Sequence, residues 1–281
     1  MKIAFLQDFF ETEIIGGAEQ NDAVLLDYLS SIEGLHVVPV HTYMVDHVAQ
    51  CYDFFIVSNF VRLSPAAKQY ITHLGNYLIY EHDHKYVQNR NPAAFSNFIA
   101  PKEKIINKKF YANARKVFVL SNMCKTVIEN NLEIDNVHNI GCSLWSEQKL
   151  EILSGASNIS KIHKYGILNS TNPVKGTEEA AAFCARNSIE PFLVGSPDYA
   201  QFTSQLSACE NFIFMPQVLE TFSRVCAEAK MLNCKVTTMP KMIGFFSEEY
   251  SSLSGEQLMD RIRLQMDSAL VEFRNTIGDS K

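Results

Sequence analysis

Asn211-Phe-Ile-Phe-Met215 runs directly into Pro216-Gln-Val-Leu-Glu220-Thr-Phe-Ser-Arg-Val-Cys-Ala-Glu228-Ala-Lys230, and Lys235-Val-Thr-Thr238 follows shortly after. The outer pieces are short apolar runs with β-formers, and the middle piece has helical composition. The order is strand, acid, helix start, second acid, helix, strand, which is the unit of a parallel α/β sheet. In such sheets ligands bind beyond the carboxyl ends of the strands. Glu220 stands at that place, with the amides of Thr221, Phe222 and Ser223 beside it at the expected helix start over 221–232. Amides without helical partners suit a phosphate, and a carboxylate suits sugar hydroxyls. The same acids allow a plainer reading. Glu220, Arg224 and Glu228 follow one another at i, i+4, and an exposed ladder of that kind is worth only about 0.2–0.5 kcal/mol per pair. The rest of the chain has to decide between the two.

Outward from this segment the alternation continues almost throughout. Strands are expected over 2–6, 36–40, 53–58, 77–80, 116–120, 137–140, 164–168, 191–194, 211–215 and 234–238. Helices are expected over 18–31, 65–73, 102–114, 122–131, 176–187 and 199–209, with a long amphipathic one over 255–276. The small polar stretch Ser154-Gly-Ala-Ser-Asn-Ile-Ser160 reads as a linker. The fold class is therefore α/β, with two Rossmann-like, doubly wound parallel-sheet domains facing a cleft. Residues 1–155 form the first and 156–281 the second, with the last helix free to cross back.

The 281 residues are 47% hydrophobic and carry a net charge of −6, which fits a globular protein and argues against a wholly basic nucleic-acid-binding surface. A local basic face remains open. Arg62, Lys68, Lys85, Arg90, Lys102, Lys104, Lys108, Lys109, Arg115 and Lys116 gather in the first half, as a solvated surface or as a nucleic-acid contact. No apolar run reaches the roughly 18 residues of a membrane span, and the opening Met1-Lys-Ile-Ala-Phe-Leu6 reads as a strand rather than a signal peptide. The seven cysteines are odd in number and lack CxxC or His/Cys metal spacing. They are expected to be reduced core thiols of a cytoplasmic protein.

Three further constellations bear on chemistry. Gly16-Gly17 opens a helix after the first strand, in Leu6-Gln-Asp-Phe-Phe-Glu-Thr-Glu-Ile-Ile-Gly-Gly-Ala-Glu19. It is either a loop hinge or a close approach of backbone to an anion. It is not GxGxxG, and this argues against a nucleotide-cofactor oxidoreductase. Tyr80-Glu-His-Asp-His-Lys-Tyr86 crowds ionisable groups past another strand end. Burying them all would cost several kcal/mol each without partners, so they are expected to line a polar surface. His82-x-His84 could also bind a metal, but no third ligand is evident in the sequence. Lys175-Gly176-Thr177 stands at a third strand–loop–helix junction, where a lysine either is solvated or neutralises a phosphate at the helix start. Thr177 is placed to cap that helix. Val194-Gly-Ser-Pro197 is a strand-end turn that can line a base or ribose pocket.

Taken together, the set resembles the retaining glycosyltransferases of the two-Rossmann GT-B fold, of the family 4-like, compact phage and bacterial type. The markers occur in the family's order: Gly16-Gly17-Ala18-Glu19, His82-Asp83, Lys175-Gly176 and Glu220-x7-Glu228. The resemblance covers most of the chain and implies residue roles. Gly16 and Gly17 would approach the donor diphosphate, and Lys175 would bind it and help the leaving group depart. His82 would sit near the transferred sugar, with His84 as a second candidate. Glu220 would hold sugar hydroxyls beside the amides of Thr221, Phe222 and Ser223, and Glu228 would bind the ribose. The implied donor is a nucleoside-diphosphate sugar, with no metal and no other cofactor. The implied acceptor is a glycan, a lipid-linked sugar, a protein or a modified DNA base. One departure is plain: where the family has an arginine a few residues before the lysine, this chain has Gly166-Ile167-Leu168. That absence keeps open a second reading, a degenerate module that binds nucleotide or sugar without turnover.

Overall fold

A computed structural model describes residues 1–278, and the chain within it divides into two compact units. The first is Met1–Leu144 together with the chain from Gln265 onward; the second is Trp145–Leu264. Unit 1 holds a six-stranded sheet of β1 (Lys2–Gln7), β2 (His36–His41), β3 (Phe54–Val57), β4 (Tyr77–Tyr80), β5 (Val117–Val119) and β6 (Val137–Asn139), in the order β2-β1-β3-β4-β5-β6. Unit 2 holds a four-stranded sheet of β7 (His163–Leu168), β8 (Phe192–Val194), β9 (Cys209–Ile213) and β10 (Lys235–Thr237), in the order β10-β9-β7-β8. All these pairings are parallel. The central strands are continuous apolar runs, as strands covered on both faces must be: Phe54, Phe55, Ile56 and Val57 are all buried.

The helices are α1 (Gly17–Ser30), α2 (Val45–Val48), α3 (Pro65–Leu74), α4 (Lys108–Ala112), α5 (Asn122–Leu132), α6 (Glu147–Ala156), α7 (Thr177–Arg186), α8 (Tyr199–Ser207), α9 (Arg224–Met231) and α10 (Gly255–Gly278). Several begin on side-chain caps, which satisfy first-turn amides. Ser64 accepts from the Ala67 amide at 3.0 Å and Asp198 from the Gln201 amide at 2.7 Å. Helix α10 is shared, counting with unit 2 as far as Leu264 and with unit 1 from Gln265. In unit 1 its Phe273 packs on Phe118, with ring centroids 4.1 Å apart.

Three expectations change. The helix expected over 102–114 is a 3-10 turn at Lys102–Lys104 and the short α4, with Asn107 at φ 59 between them. The linker expected at 154–160 begins inside α6, which starts on the Ser146 cap and buries Leu150, Leu153 and Ala156. The chain therefore divides before α6 rather than after it. The helix expected from Thr221 starts at Arg224, because the preceding residues are held in an extended strap.

Candidate active site

Each sheet reverses its strand order once, at β1/β3 in unit 1 and at β7/β9 in unit 2. Such switch points are where open α/β sheets bind ligands. The candidate residues concentrate at both.

In unit 2 the loop after β7 ends in a 3-10 turn, Pro173–Lys175, and Gly176 follows at φ 67. A Cβ added at Gly176 would lie 1.7 Å from the Met215 carbonyl oxygen, so only glycine lets the two switch-point loops touch. The Gln217 amide donates to the Val174 carbonyl at 2.9 Å and locks that contact. Beyond it, Glu220 lies in an extended strap, its amide donating to Met242 O and its carbonyl accepting from the Gly244 amide, both at 2.9 Å. The two loops bring Lys175 Nζ to 2.8 Å from Glu220 Oε1, with the lysine side chain 36% exposed and the glutamate 11%.

Glu220 thus precedes α9, and the Glu220–Arg224–Glu228 helical ladder is corrected: only Arg224 and Glu228 share the helix. Ser223 caps it at φ 70 with no side-chain cap bond. Phe222 is buried against Trp145 and Phe245, so its side chain is core and only its backbone borders the site. Thr221 is half-buried. Glu228 is buried, and its Oε1 accepts from Trp145 Nε1 and from the Tyr199 hydroxyl, both at 2.9 Å. Burial, and then the Glu228 charge, holds the Tyr199 phenol far above its usual range, so it stays a donor. The Arg224 guanidinium lies 4.4 Å over the Trp145 ring. Thr177 does not cap α7; its hydroxyl donates to Leu168 O at 2.8 Å. The Val194–Pro197 turn is tied to α8, its Gly195 amide donating to Gln205 Oε1 at 2.9 Å.

In unit 1, Gly16 caps α1 and Gly17 begins it. The Glu19 carboxylate folds back so closely that a Cβ on Gly16 would lie 2.2 Å from Glu19 Oε2. Burial pushes the Glu19 carboxyl up, against the pull of its own backbone amide. One turn on, Asp22 is fully buried at 0% exposure and accepts from Ser58 Oγ at 2.7 Å, while His82 Nε2 lies 3.0 Å from its Oδ1. The helix after β1, the end of β3 and the end of β4 therefore converge on one carboxylate.

The expectation that residues 80–86 line a polar surface is corrected. Glu81, His82, His84 and Lys85 are all buried. The penalty that argued against burial is met by partners within the segment together with Asn59 and Tyr111 from elsewhere in unit 1. Lys85 Nζ donates to Glu81 at 3.0 Å, to Asn59 Oδ1 at 3.2 Å, and to Asp83. The Tyr111 hydroxyl donates to Glu81, and Arg90 reaches Asp83 at 2.8 Å. Burial would raise both carboxyls, but Lys85 outweighs it and both sit low; the lysine sits correspondingly high. His84, at φ 58, is buried with Nδ1 3.0 Å from the Tyr86 hydroxyl.

The sequence reading placed Lys175 and Glu220 each beyond a strand end, but it did not foresee their contact and missed the groups that hold the rest. Asp22 and Ser58 orient His82, and Trp145 and Tyr199 orient Glu228. A weak signal existed, since Asp22 falls on the helix that Gly16-Gly17 opens and Ser58 ends the third expected strand. Among the described residues no cluster of three or more His, Cys, Asp or Glu could hold a metal ion, and no helix is long and apolar enough to cross a membrane.

No family model matches the sequence, and no curated protein matches it. Solved structures do. Anabaena HepE in complex with UDP and glucose has a TM-score of 0.53 at 14% identity, covering 97% of this chain and 100% of that one. An α-glucosyltransferase in complex with UDP and a 13-mer DNA containing an HMU base has a TM-score of 0.50 at 10% identity, covering 100% and 94%. The UDP-GlcNAc 2-epimerase of Methanocaldococcus jannaschii, with UDP-GlcNAc and UDP, has a TM-score of 0.51 at 10% identity, covering 96% and 93%. Two parallel-sheet units with these strand orders, matched over nearly the whole chain, give this protein the GT-B fold. At such identities the likeness is one of fold.

Proposed function

We propose that this chain is a glycosyltransferase that moves a sugar from a nucleoside-diphosphate sugar to an acceptor with retention of configuration, in the family 4-like, compact phage and bacterial branch of the fold. The observation that carries the reading is the Lys175–Glu220 pair at the β7/β9 switch point. Its two groups suit the two ends of such a donor. The ammonium answers the diphosphate, and the carboxylate accepts from sugar hydroxyls. The fold neighbours seen with UDP or UDP-sugars support the donor class.

Breaking the sugar–phosphate bond leaves an oxocarbenium-like centre and a diphosphate whose negative charge grows. Lys175 and the start of α7 act on that charge as it develops. Glu220 positions the sugar rather than attacking it, because retention needs no side-chain nucleophile when the acceptor enters from the leaving-group side. Glu228, fixed by Trp145 and Tyr199, is assigned to the ribose, and Gly16-Gly17 to backbone contact with the diphosphate. His82 is assigned to the transferred sugar, its ring set by Asp22, with His84, whose Nδ1 lies 3.0 Å from the Tyr86 hydroxyl, as the second candidate. No metal is invoked. The free and mostly buried cysteines support a cytoplasmic site of action.

The missing arginine before Lys175 favours one alternative, a module that binds donor without turnover. A thermal-shift screen against nucleoside diphosphates and nucleotide sugars, followed by donor hydrolysis, separates the two. Specific binding raises Tm by mass action, and only an enzyme releases the diphosphate. A folded protein that shifts with no nucleotide in the panel, and releases none, would remove the transferase reading.

A further inference from the structure

Unit 1 carries a second organised surface that the donor chemistry does not use. Asp8, buried just past the end of β1, accepts from the Val61 amide at 2.7 Å, from the Arg62 amide at 3.1 Å and from the Thr42 hydroxyl. One carboxylate thereby fixes the loops after β1, β2 and β3. Those loops present stacked planar groups. Phe10 lies 4.0 Å from His41, His41 lies 5.0 Å from Tyr43, and the Arg62 guanidinium lies 5.0 Å over Tyr43 and 5.5 Å over Phe9. Tyr43 is 49% exposed and Phe9 37%, large values for rings held so firmly.

After the Arg62 loop in the chain, α3 and the start of α4 border a groove of about 1130 Å³. Lys68, His73, Lys108 and Lys109 line it, and no carboxylate does among the described residues. In a chain of net charge −6 this is a local reversal of sign. The loop that carries Arg62 runs through the Ser64 cap directly into α3, so platform and groove are joined along the chain. Lys68 also donates to Asn107 Oδ1 at 3.2 Å, and Asn107 in turn donates to the Lys85 carbonyl at 2.8 Å. The groove therefore abuts the buried cluster at the end of β4. Burial of Lys68 lowers its proton affinity, an imbalance that an anion in the groove would reverse.

We propose that this face of unit 1 binds a single strand of nucleic acid, with bases on the Phe9–Tyr43–Arg62 platform and backbone phosphates along the Lys68–Lys109 groove. Rigid aromatic faces beside a track of cations are what a single strand requires, since every base has a face to stack and every link a charge. A duplex hides those base faces, and a flat bilayer does not enter a groove. The binding surface stands on its own; that the strand carries the acceptor rests on the transferase reading.

The test is fluorescence anisotropy of the full chain with a labelled oligothymidine, titrated with salt. Each lost phosphate contact lowers the slope of log K against log salt by about 0.7. Lys108→Gln with Lys109→Gln should therefore flatten it by about 1.4. Both lysines are exposed, and Lys108 gives up only a surface pair with Glu133. Tyr43→Ala should weaken binding about 5- to 150-fold, from the usual range for loss of one base stack, with the slope unchanged. UDP affinity should stay constant in all variants. Absence of strand binding at low salt, variants that bind like the parent, or binding of anionic vesicles or a polysulfated glycan in place of the strand would each overturn the proposal. UDP release from UDP-glucose, measured separately, bears only on the transferase reading, so the two can fail apart.

Discussion

Lys175→Ala tests the proposed donor site most directly, because the geometry of its pair with Glu220 bounds the expected effect. Lys175 Nζ meets one carboxylate oxygen at 2.8 Å and is 36% exposed. A hydrogen bond to a charged group contributes about 1.5–3 kcal/mol. With a third of the side chain in solvent the lower part of that range applies, about 1.5–2 kcal/mol, or roughly 10- to 30-fold in Kd. The loss should fall on ligands that carry a diphosphate. UDP binding measured by calorimetry should weaken by that factor, whereas uridine should change by less than about twofold. Truncation also leaves Glu220 without its cation at 11% exposure, a cost of about 1–2 kcal/mol visible as a lower Tm of the free protein. Lys175→Arg should recover part of both. Equal weakening for UDP and uridine would refute the phosphate role and leave Lys175 as a structural partner of Glu220.

Three further outcomes are expected. Glu220→Gln should reduce turnover about 100-fold through lost positioning while circular dichroism stays native; near-normal turnover in the folded variant would take Glu220 out of the site. Gly176→Ala should destabilise by about 3 kcal/mol or more in urea titrations, since it adds left-handed strain to a Cβ 1.7 Å from Met215 O; a neutral result would mean that the two loops do not touch. Lys85→Met should cost about 3–5 kcal/mol at neutral pH by stranding Glu81. It should also invert the acid limb. In the parent, Glu81 and Asp83 titrate below their ordinary values of 4.5 and 3.8, so their stabilisation is present above those values and is lost as pH falls through the lowered ones. Without Lys85, burial raises Glu81, and stability should rise as pH falls towards 5; parallel acid limbs in the two proteins would disprove the coupling.

The fold was legible because its signal is redundant. All ten strands stand where short apolar runs end in Gly, Asp or polar loops, and two sets of β-α alternation define two sheets. The positions of Lys175 beyond β7 and Glu220 beyond β9 were legible for the same reason. What failed is informative. Residues 80–86 look exposed because a sequence shows the cost of burying five ionisable groups but not their partners: Tyr111 and Asn59 come from distant elements. The helix expected from Thr221 is shortened by tertiary bonds to Met242 and Gly244, which no local propensity encodes. Helix α6 hides behind the small residues of its last turn, although Ser146 with Leu150 and Leu153 already marks a capped amphipathic turn.

Both units place a lysine–carboxylate pair just beyond a strand end, and the contrast between them separates support from function. Lys85, itself buried, has three N–H donors and three acceptors, the buried Glu81 and the partly exposed Asp83 and Asn59. A ligand could take that lysine only by stranding a buried carboxylate, which is prohibitive. Lys175 is different. One carboxylate oxygen holds it, a third of it faces solvent, and its partner hangs from an edge strap rather than a core strand. The two groups neutralise each other, so the pair does not expose two unpaired charges. A nucleoside-diphosphate sugar offers each of them a substitute, phosphate oxygens for the ammonium and hydroxyl donors for the carboxylate. Since a partly desolvated ion pair contributes little net free energy, little is given up when the donor takes its place. The affinity gained elsewhere on the nucleotide is then free to orient the sugar, which is what a reaction limited by positioning and leaving-group charge requires.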